Sequence, residues 1–330
     1  EAVTAVLDGA RGRLVEARSV RPRPHLDDKV LAGWNGLMIA ACARVARVTP
    51  LDDAASDDAL ETATRAARFL RDHLWNAGRG VLLRRFRDGH ADIDGYSEDY
   101  AFLVWGLLEL FQAGGDPVWL DWASELQEVQ NRLFWDEADG GWFSTSGTDP
   151  TVLLRLKEDY DGAEPSGGSV AVWNLLALTH LAGGNDAGEY ANRIERALRR
   201  AAPSAQAARV VPMLMAAAST YRAGVPQVII VGSRKEAATV ALHRALTACY
   251  LPGAVSLVVE PGAHLAAVAA RLPWVGAMEP HDGQPTAYLC RDGACQAPVT
   301  DPEALRAQLE ELVAHRQSGG SQGPSAPSDF

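Results

Sequence analysis

The chain has 330 residues, of which 47% are hydrophobic and 22% are charged, a composition typical of a folded globular protein. Its 31 Lys and Arg against 42 Asp and Glu give a net charge of −11, which argues against a nucleic-acid partner and gives no reason to expect an anionic membrane surface. No apolar run reaches the ~18 residues that indicate a membrane span.

Tryptophan marks a repeat of about seventy residues. Eight of the nine Trp lie between Trp34 and Trp173. The segment WNGL at Trp34 recurs as WGLL at Trp105 and as WNLL at Trp173, with spacings of 105 − 34 = 71 and 173 − 105 = 68 residues. The stretches around these three Trp are apolar on nearly all faces, which predicts buried helices. The Trp side chains are expected to pack in the core more often than to act as sugar platforms.

Amphipathic segments alternate with the buried ones. Two of them end at Trp75 and Trp135, and each precedes a Gly-rich aromatic stretch that predicts a short hairpin. Further helices are predicted over 1–18, 187–201 and 204–223. About eight helices that alternate between buried and amphipathic predict a mainly α fold, an α/α toroid. A complete toroid of this type has about twelve helices, so we expect the barrel to be incomplete here and the chain to begin inside it.

The pattern changes at Val225, where strands alternate with helices and predict a small α/β module. We therefore expect a barrel portion over 1–224, the module over 225–316 and a disordered Gly/Ser/Pro-rich tail over 317–330. Asp301 is the predicted N-cap of the last helix, with Pro302 after it. The four Cys are few and scattered, which favours a reducing, cytoplasmic location. The CRDGAC spacing of Cys290 and Cys295 is neither a redox CxxC nor half of a familiar zinc site.

Acidic residues cluster just before each of the three buried helices. Because the inner helices of a toroid begin at the same end, we expect these clusters to meet at one mouth. Carboxylates that bond hydroxyls, beside Trp and Tyr faces, are suited to a sugar, and two carboxylates across a cavity could act as acid and base. Helix capping is the competing interpretation, because Asp, Glu and Ser are favoured at helix starts.

Four segments resemble one known family. RPRPHLDDKVLAGWNGLMIAA, DGYSEDYAFLVWGLLEL, LKEDYDGAEPSGGSVAVWNLL and PTAYLCRDGACQAPVTDPEAL, between about Arg21 and His315, are similar to the thioredoxin-domain-containing proteins related to spermatogenesis-associated protein 20. The resemblance implies a barrel of the six-hairpin glycosidase and N-acylglucosamine 2-epimerase type, after a thioredoxin-like domain that this chain lacks. It associates the barrel with carbohydrate metabolism by analogy of fold. The family often has Gly-Asn-Ser where this chain has Gly167-Gly168-Ser169.

The sequence and the resemblance together predict a barrel that binds or processes a sugar-like small molecule. The predicted catalytic carboxylates are Asp28, Asp99 and Glu164. The predicted substrate-binding residues are His25, Asp27, Trp34, Asn35, Asp94, Tyr96, Glu98, Tyr100, Asp161 and Ser166. No metal, cofactor, nucleic acid or membrane partner is expected. Only His25 and His90 lie near the expected mouth, so the facing histidines of the epimerases are not matched.

Two alternatives stay open. The barrel could be a non-catalytic scaffold for the thioredoxin-like domain, in a redox or protein-quality role. A third hypothesis is that Cys290 and Cys295 exchange disulfides with the CxxC of such a domain.

Overall fold

The computed structural model describes residues 2–181, 186–201, 207–291 and 293–319. The chain divides into two compact units, one up to Val30 and the other from Leu31 onward. The first unit contains the predicted N-terminal helix, α1 (Ala2–Ser19), which buries none of its side chains. The second unit contains all the other elements, apart from the short strand β1 (Val30–Leu31) at the junction.

Helices of the second unit alternate between inner and outer positions, as the sequence predicts. The inner helices pack in series, each against the next, and every outer helix packs against the inner helix that precedes it. This is the arrangement of an α/α toroid. The inner helices are α2 (Ala32–Val48), α4 (Ser97–Gly114) and α6 (Gly167–Leu181), and the outer ones are α3 (Ala54–His73), α5 (Pro117–Phe134) and α7 (Asp186–Ala201). Asp53 and Asp116 cap α3 and α5 through side-chain oxygens.

Two glycines of the Trp repeat allow α2 and α4 to cross closely. A Cβ on Gly36 would lie 2.5 Å from the backbone of Phe102 and Leu103. A Cβ on Gly106 would lie 2.5 Å from the carbonyl oxygen of Gly36. Only glycine therefore permits this backbone separation, which requires a glycine just after the Trp in the first two copies of the repeat; the third copy, WNLL, has none.

The Trp residues of the repeat do not lie in the core. Trp34 is 63% exposed, and Trp105 and Trp173 are half-buried. The expectation that they pack in the core is wrong, because α2 buries its opposite face, at Gly36, Ile39 and Ala43 among others. These indoles therefore lie on the side of the inner helices that is available to a ligand.

One of the two predicted hairpins forms. Strands β2 (Trp75–Asn76), β3 (Val81–Arg87) and β4 (His90–Asp94) pair antiparallel, with β3 between the others. Within the described residues 135–145, where the second hairpin is predicted, strand pairing is limited to a single bridge between Trp135 and Trp142, whose rings lie edge-on at 4.9 Å. Here aromatic packing and a turn replace the predicted second hairpin.

The helix predicted over 204–223 is interrupted. It consists of α8 (Ala207–Val210) and α9 (Pro212–Ala223), while residues 204–206 of the prediction lie outside the described residues. Pro212 begins α9 because it lacks the N–H that would continue the preceding turn, and Val211 has non-helical φ and ψ of −130° and 60°.

The C-terminal segment forms an α/β layer around a sheet of four strands, β5 (Gln227–Val231), β6 (Val255–Val259), β7 (Thr286–Arg291) and β8 (Ala294–Cys295). Their order in the sheet is β6-β5-β7-β8. β5 and β6 are parallel, and β7 joins β5 antiparallel. Asp301 accepts from the Ala304 N–H as the predicted cap of the last helix, which continues to Gly319, within the predicted tail; residues 320–330 lie outside the described residues. The helices of this segment are α10 (Ala237–Thr247), α11 (Ala263–Ala269), a 3-10 turn (Pro273–Val275) and α12 (Pro302–Gly319).

The α/β module covers the C-terminal ends of α2 and α4. Arg234 donates to the Ala113 carbonyl at 2.9 Å, and His264 bonds the Gly115 carbonyl at 3.0 Å. His243 bonds the Arg47 carbonyl at 2.9 Å. These contacts satisfy carbonyl groups that a helix end leaves unpaired, so the module closes one end of the inner helices and leaves their N-termini as the open end.

Candidate functional site

The open end of the inner helices carries a cluster of carboxylates around one arginine. Arg84, on β3, donates to Glu98 at 2.8 Å and to Asp99 at 2.7 Å. Its guanidinium also lies 4.5 Å from the centre of the Tyr96 ring, within the range of a cation–π contact. The hairpin that precedes α4 therefore places a cation beside the acidic start of that helix.

Asp99 is occupied by structural contacts. One carboxylate oxygen accepts from the Gly33 N–H at 3.2 Å, and the other accepts from the Tyr96 N–H at 2.9 Å and from Arg84. The side chain is only 2% exposed, and burial raises its pKa despite the neighbouring Arg84. Asp99 thus caps α4 and joins it to the start of α2, and its predicted catalytic role stays a prediction.

Three glutamates near the starts of α4 and α6, Glu98, Glu158 and Glu164, lie close enough for their charges to interact. Glu164 accepts from the indole N–H of Trp34 at 3.2 Å. Partial burial of its carboxyl group and the nearby charges of Glu98 and Glu164 raise the pKa of Glu158, against the opposing effect of Arg84. Glu158 therefore keeps its proton to a higher pH than an ordinary glutamate, because the carboxylates of Glu98 and Glu164 disfavour a further negative charge beside them.

A cavity of about 270 Å³ opens beside Glu158. Its walls include Trp142, the first turn of α6 at Gly168 and Ser169, and Arg200 of α7, which pairs with Asp159 at 2.6 Å. The cavity combines an indole, helix N–H groups and ionisable side chains, which are the groups that bind a small polar molecule.

Several predicted binding residues have structural partners at the same end of the barrel. Tyr100 is buried and its hydroxyl accepts from the Leu82 N–H at 2.8 Å; burial raises its pKa to about 12. Asp94 forms two bonds to Arg79, at 2.9 and 2.7 Å.

The predicted binding residues Asp161, Ser166 and Asn35 also make structural hydrogen bonds. Asp161 accepts from the Ser166 and Met213 N–H groups at 2.9 and 2.8 Å, and so joins the starts of α6 and α9. The Ser166 hydroxyl accepts from the Ser169 N–H at 3.1 Å as a helix cap. Asn35 donates to the Leu31 carbonyl at 2.8 Å.

His25, Asp27 and Asp28 belong to the first unit. All three are exposed, and Asp27 accepts from Lys29 of the same unit at 3.0 Å. Their predicted place at the barrel mouth stays a prediction.

Sequence reasoning missed Arg84 and did not select Glu158. Arg84 has no distinctive signal in the sequence, because it is one of three arginines on β3. Glu158 begins the second copy of Glu-Asp-Tyr, whose first copy begins with the selected Glu98. The repeated Glu-Asp-Tyr could therefore have pointed to Glu158 from the sequence alone.

Cys290 and Cys295 form a disulfide between β7 and β8. Within the described ranges, no three His, Cys, Asp or Glu side chains group as metal ligands would. The helices of the same ranges include none with the length and apolarity to cross a membrane.

The chain has relatives with similar sequences along nearly its whole length. No protein-family model matches it. Human spermatogenesis-associated protein 20 is 36% identical over 322 residues, which cover 94% of this chain and 39% of that protein. The rat protein of the same name is 34% identical, with 94% of this chain and 40% of that protein covered. The chain thus spans about 40% of the length of these relatives.

Two of the solved structures that match part of the chain are sugar epimerases. A sugar epimerase from a ruminal bacterium matches with a TM-score of 0.40 and 17% identity, covering 53% of this chain and 44% of the other. Cellobiose 2-epimerase from Spirochaeta thermophila matches with a TM-score of 0.40 and 18% identity, covering 52% and 42%. These likenesses concern the fold alone. From its sequence relatives, the chain belongs, over the segment it spans, to the family related to spermatogenesis-associated protein 20.

Proposed function

We propose that the open end of this barrel binds a sugar-like, polyhydroxylated molecule and acts on it through paired glutamates. The observation that carries the proposal is the grouping of Glu98, Glu158 and Glu164 beside the exposed indole of Trp34. Carboxylates accept hydrogen bonds from sugar hydroxyls, and the faces of Trp34 and Tyr96 cover apolar C–H surfaces.

The glutamates differ in their surroundings, and this difference suggests distinct roles. Glu158, with its raised pKa, is the group suited to donate a proton. Glu164, which accepts a hydrogen bond from the Trp34 indole N–H, is the second carboxyl group of the proposed pair. Asp99 positions α4 and Arg84, and a catalytic role of Asp28 stays a prediction.

Ligand binding can be measured by thermal unfolding in the presence of glucose, N-acetylglucosamine and cellobiose. A ligand at 100 times its Kd stabilises the folded state by about 2.7 kcal/mol. We expect at least one of these sugars to raise the unfolding temperature. Trp34→Ala should lower the affinity at least tenfold. Glu158→Gln should keep binding but lose turnover of the sugar that binds, followed by product chromatography.

Glu61→Gln is the matched control, because Glu61 is an exposed glutamate of α3 in a weak pair with Arg65. It should leave binding and turnover unchanged. The proposal fails if none of the sugars shifts the unfolding temperature, or if the shift is the same in the Trp34→Ala variant.

A non-catalytic scaffold is the second candidate function. The observation in its favour is that Asp94, Asp99, Asp161 and Ser166 all make local structural contacts. For this candidate, Glu158→Gln and Glu164→Gln should leave the activity of a longer protein containing this chain unchanged. A thioredoxin-like domain as its partner is a proposal that rests on the family resemblance.

A further inference from the structure

A second cavity, of about 390 Å³, lies on the inner helices away from the carboxylate cluster. Its walls come from the C-terminal half of α2, the middle of α4 and α6, and the loop that leads from α10 into β6. From Glu98 to Glu109 the α4 chain advances eleven residues, or roughly 16 Å at 1.5 Å per residue. The two regions share no lining residue, so this cavity is separate from the proposed sugar site.

The charges in this cavity are confined to one cluster. The Glu109 carboxylate is 4% exposed and lies between two arginines. Arg44 donates to one of its oxygens at 3.0 and 2.8 Å, and Arg47 pairs with the other. The two arginines lower the pKa of Glu109 in spite of its burial, so the carboxyl group is ionised. Two cations and one anion give the cavity a net charge of +1, in a chain whose net charge is −11.

The walls around this cluster are aromatic and neutral. Arg44 lies 5.4 Å from the Trp105 ring centre, and Trp173 also lines the cavity. A Cβ on Gly253 would meet the Trp173 ring at 2.9 Å, so the loop lies directly against that indole. Trp105 and Trp173 both belong to the Trp repeat, and neither is buried in the core.

Two wall residues have buried polar atoms without a hydrogen-bond partner among the described residues. They are the Arg47 Nε and the Asn174 Oδ1. Buried polar atoms are nearly always paired, and leaving one unpaired costs about 1–3 kcal/mol. One donor and one acceptor of the residues that line this cavity thus lack a partner among the described residues, and both atoms are shielded from solvent. Arg44, whose side chain is 56% exposed, adds an accessible guanidinium.

We propose that this cavity binds a small, ring-shaped monocarboxylate. The excess positive charge favours one anionic group, and a planar guanidinium matches a carboxylate with two parallel hydrogen bonds. In the proposed complex, the indoles of Trp105 and Trp173 pack against the ring of the ligand, which is about the size of a sugar ring. The site differs from the carboxylate cluster at the barrel mouth, where a negative ligand is repelled.

The test is isothermal titration calorimetry of this chain with D-glucuronate and D-glucose, which differ only in the carboxylate. We expect saturable binding of glucuronate at this site and at least tenfold weaker binding of glucose there. Arg44→Gln should weaken glucuronate binding at least tenfold. Arg65→Gln removes the same charge from the exposed face of α3 and should not change it. Thermal unfolding of each variant checks that it is folded.

Three outcomes overturn the inference. The first is that glucuronate does not bind. The second is that Trp34→Ala, in which the proposed mouth site is weakened, binds glucuronate no more tightly than glucose. The third is that folded Arg44→Gln binds glucuronate as the parent does. Glu158→Gln separates the two proposals. It should leave glucuronate affinity unchanged, and a loss of affinity in that variant but not in Arg44→Gln would place the ligand at the mouth instead.

Discussion

Substitution of Gly106 by alanine tests the close crossing of α2 and α4. The new Cβ would lie 2.5 Å from the Gly36 carbonyl oxygen and 3.2 Å from Ile39, whereas ordinary contact begins at 3.4 Å. The helices must separate locally by roughly 3.4 − 2.5 = 0.9 Å. Overpacking of this kind costs about 1–3 kcal/mol. We take the upper end, because the obstacle is backbone that cannot rotate away.

Alanine also favours the helix over glycine by about 1 kcal/mol. The expected net loss in the free energy of unfolding is therefore about 2 kcal/mol. Urea denaturation followed by Trp fluorescence and by circular dichroism measures it.

Gly168→Ala is the matched control. Its Cβ would have no neighbour within 4 Å, and it lies in the first turn of another inner helix. It should leave stability unchanged or raise it by up to about 1 kcal/mol. If Gly106→Ala proves as stable as Gly168→Ala, α2 and α4 do not cross closely and the reasoning is refuted.

Three further predictions concern buried charge, pH and the cysteines. Glu109→Gln leaves the Arg47 guanidinium buried without a full charge partner and should cost about 3 kcal/mol of unfolding free energy, whereas Glu61→Gln should cost under about 0.5. Burial lowers the pKa of His243 to about 4, against 6.5 in the unfolded chain. The free energy of unfolding should therefore be highest above pH 6.5 and fall by up to ~3 kcal/mol as the pH is lowered to 4. Urea denaturation measures it, and His243→Gln should show a flatter pH profile. Thiol titration of the unfolded, oxidised chain should find two free cysteines, and four after reduction; four before reduction would contradict the Cys290–Cys295 bond.

The helical architecture follows from patterns that act locally. The order of inner and outer helices was predictable because α4 and α6 are apolar on most faces, while α3 and α5 bury one side only. Turn and cap residues such as Asp53, Asp116 and Asp301 mark helix starts for the same local reason. These features need no knowledge of distant contacts.

The site was predictable in part. Clusters of acids before successive inner helices pointed to one end of the barrel, and Glu158 interacts there with Glu98 and Glu164. The roles of these carboxylates stay a prediction. Which carboxylate caps a helix and which stays available was not predictable, because the same residue types serve both purposes. Asp99 became a cap through the Gly33 N–H, a contact across 66 residues.

The sequence by itself therefore determined the repeat, the helix order and the C-terminal α/β module, since each depends on hydrophobic period and local capping. Only the tertiary structure decided the rest. Trp34 is exposed because glycine and alanine form the contact of α2 with α4. Arg84, from a hairpin strand, bonds two carboxylates in the first turn of α4. The tertiary structure also placed the α10–β6 loop over Arg44 and Trp105, which forms the second cavity. These juxtapositions depend on long-range packing, and no spacing along the chain records them.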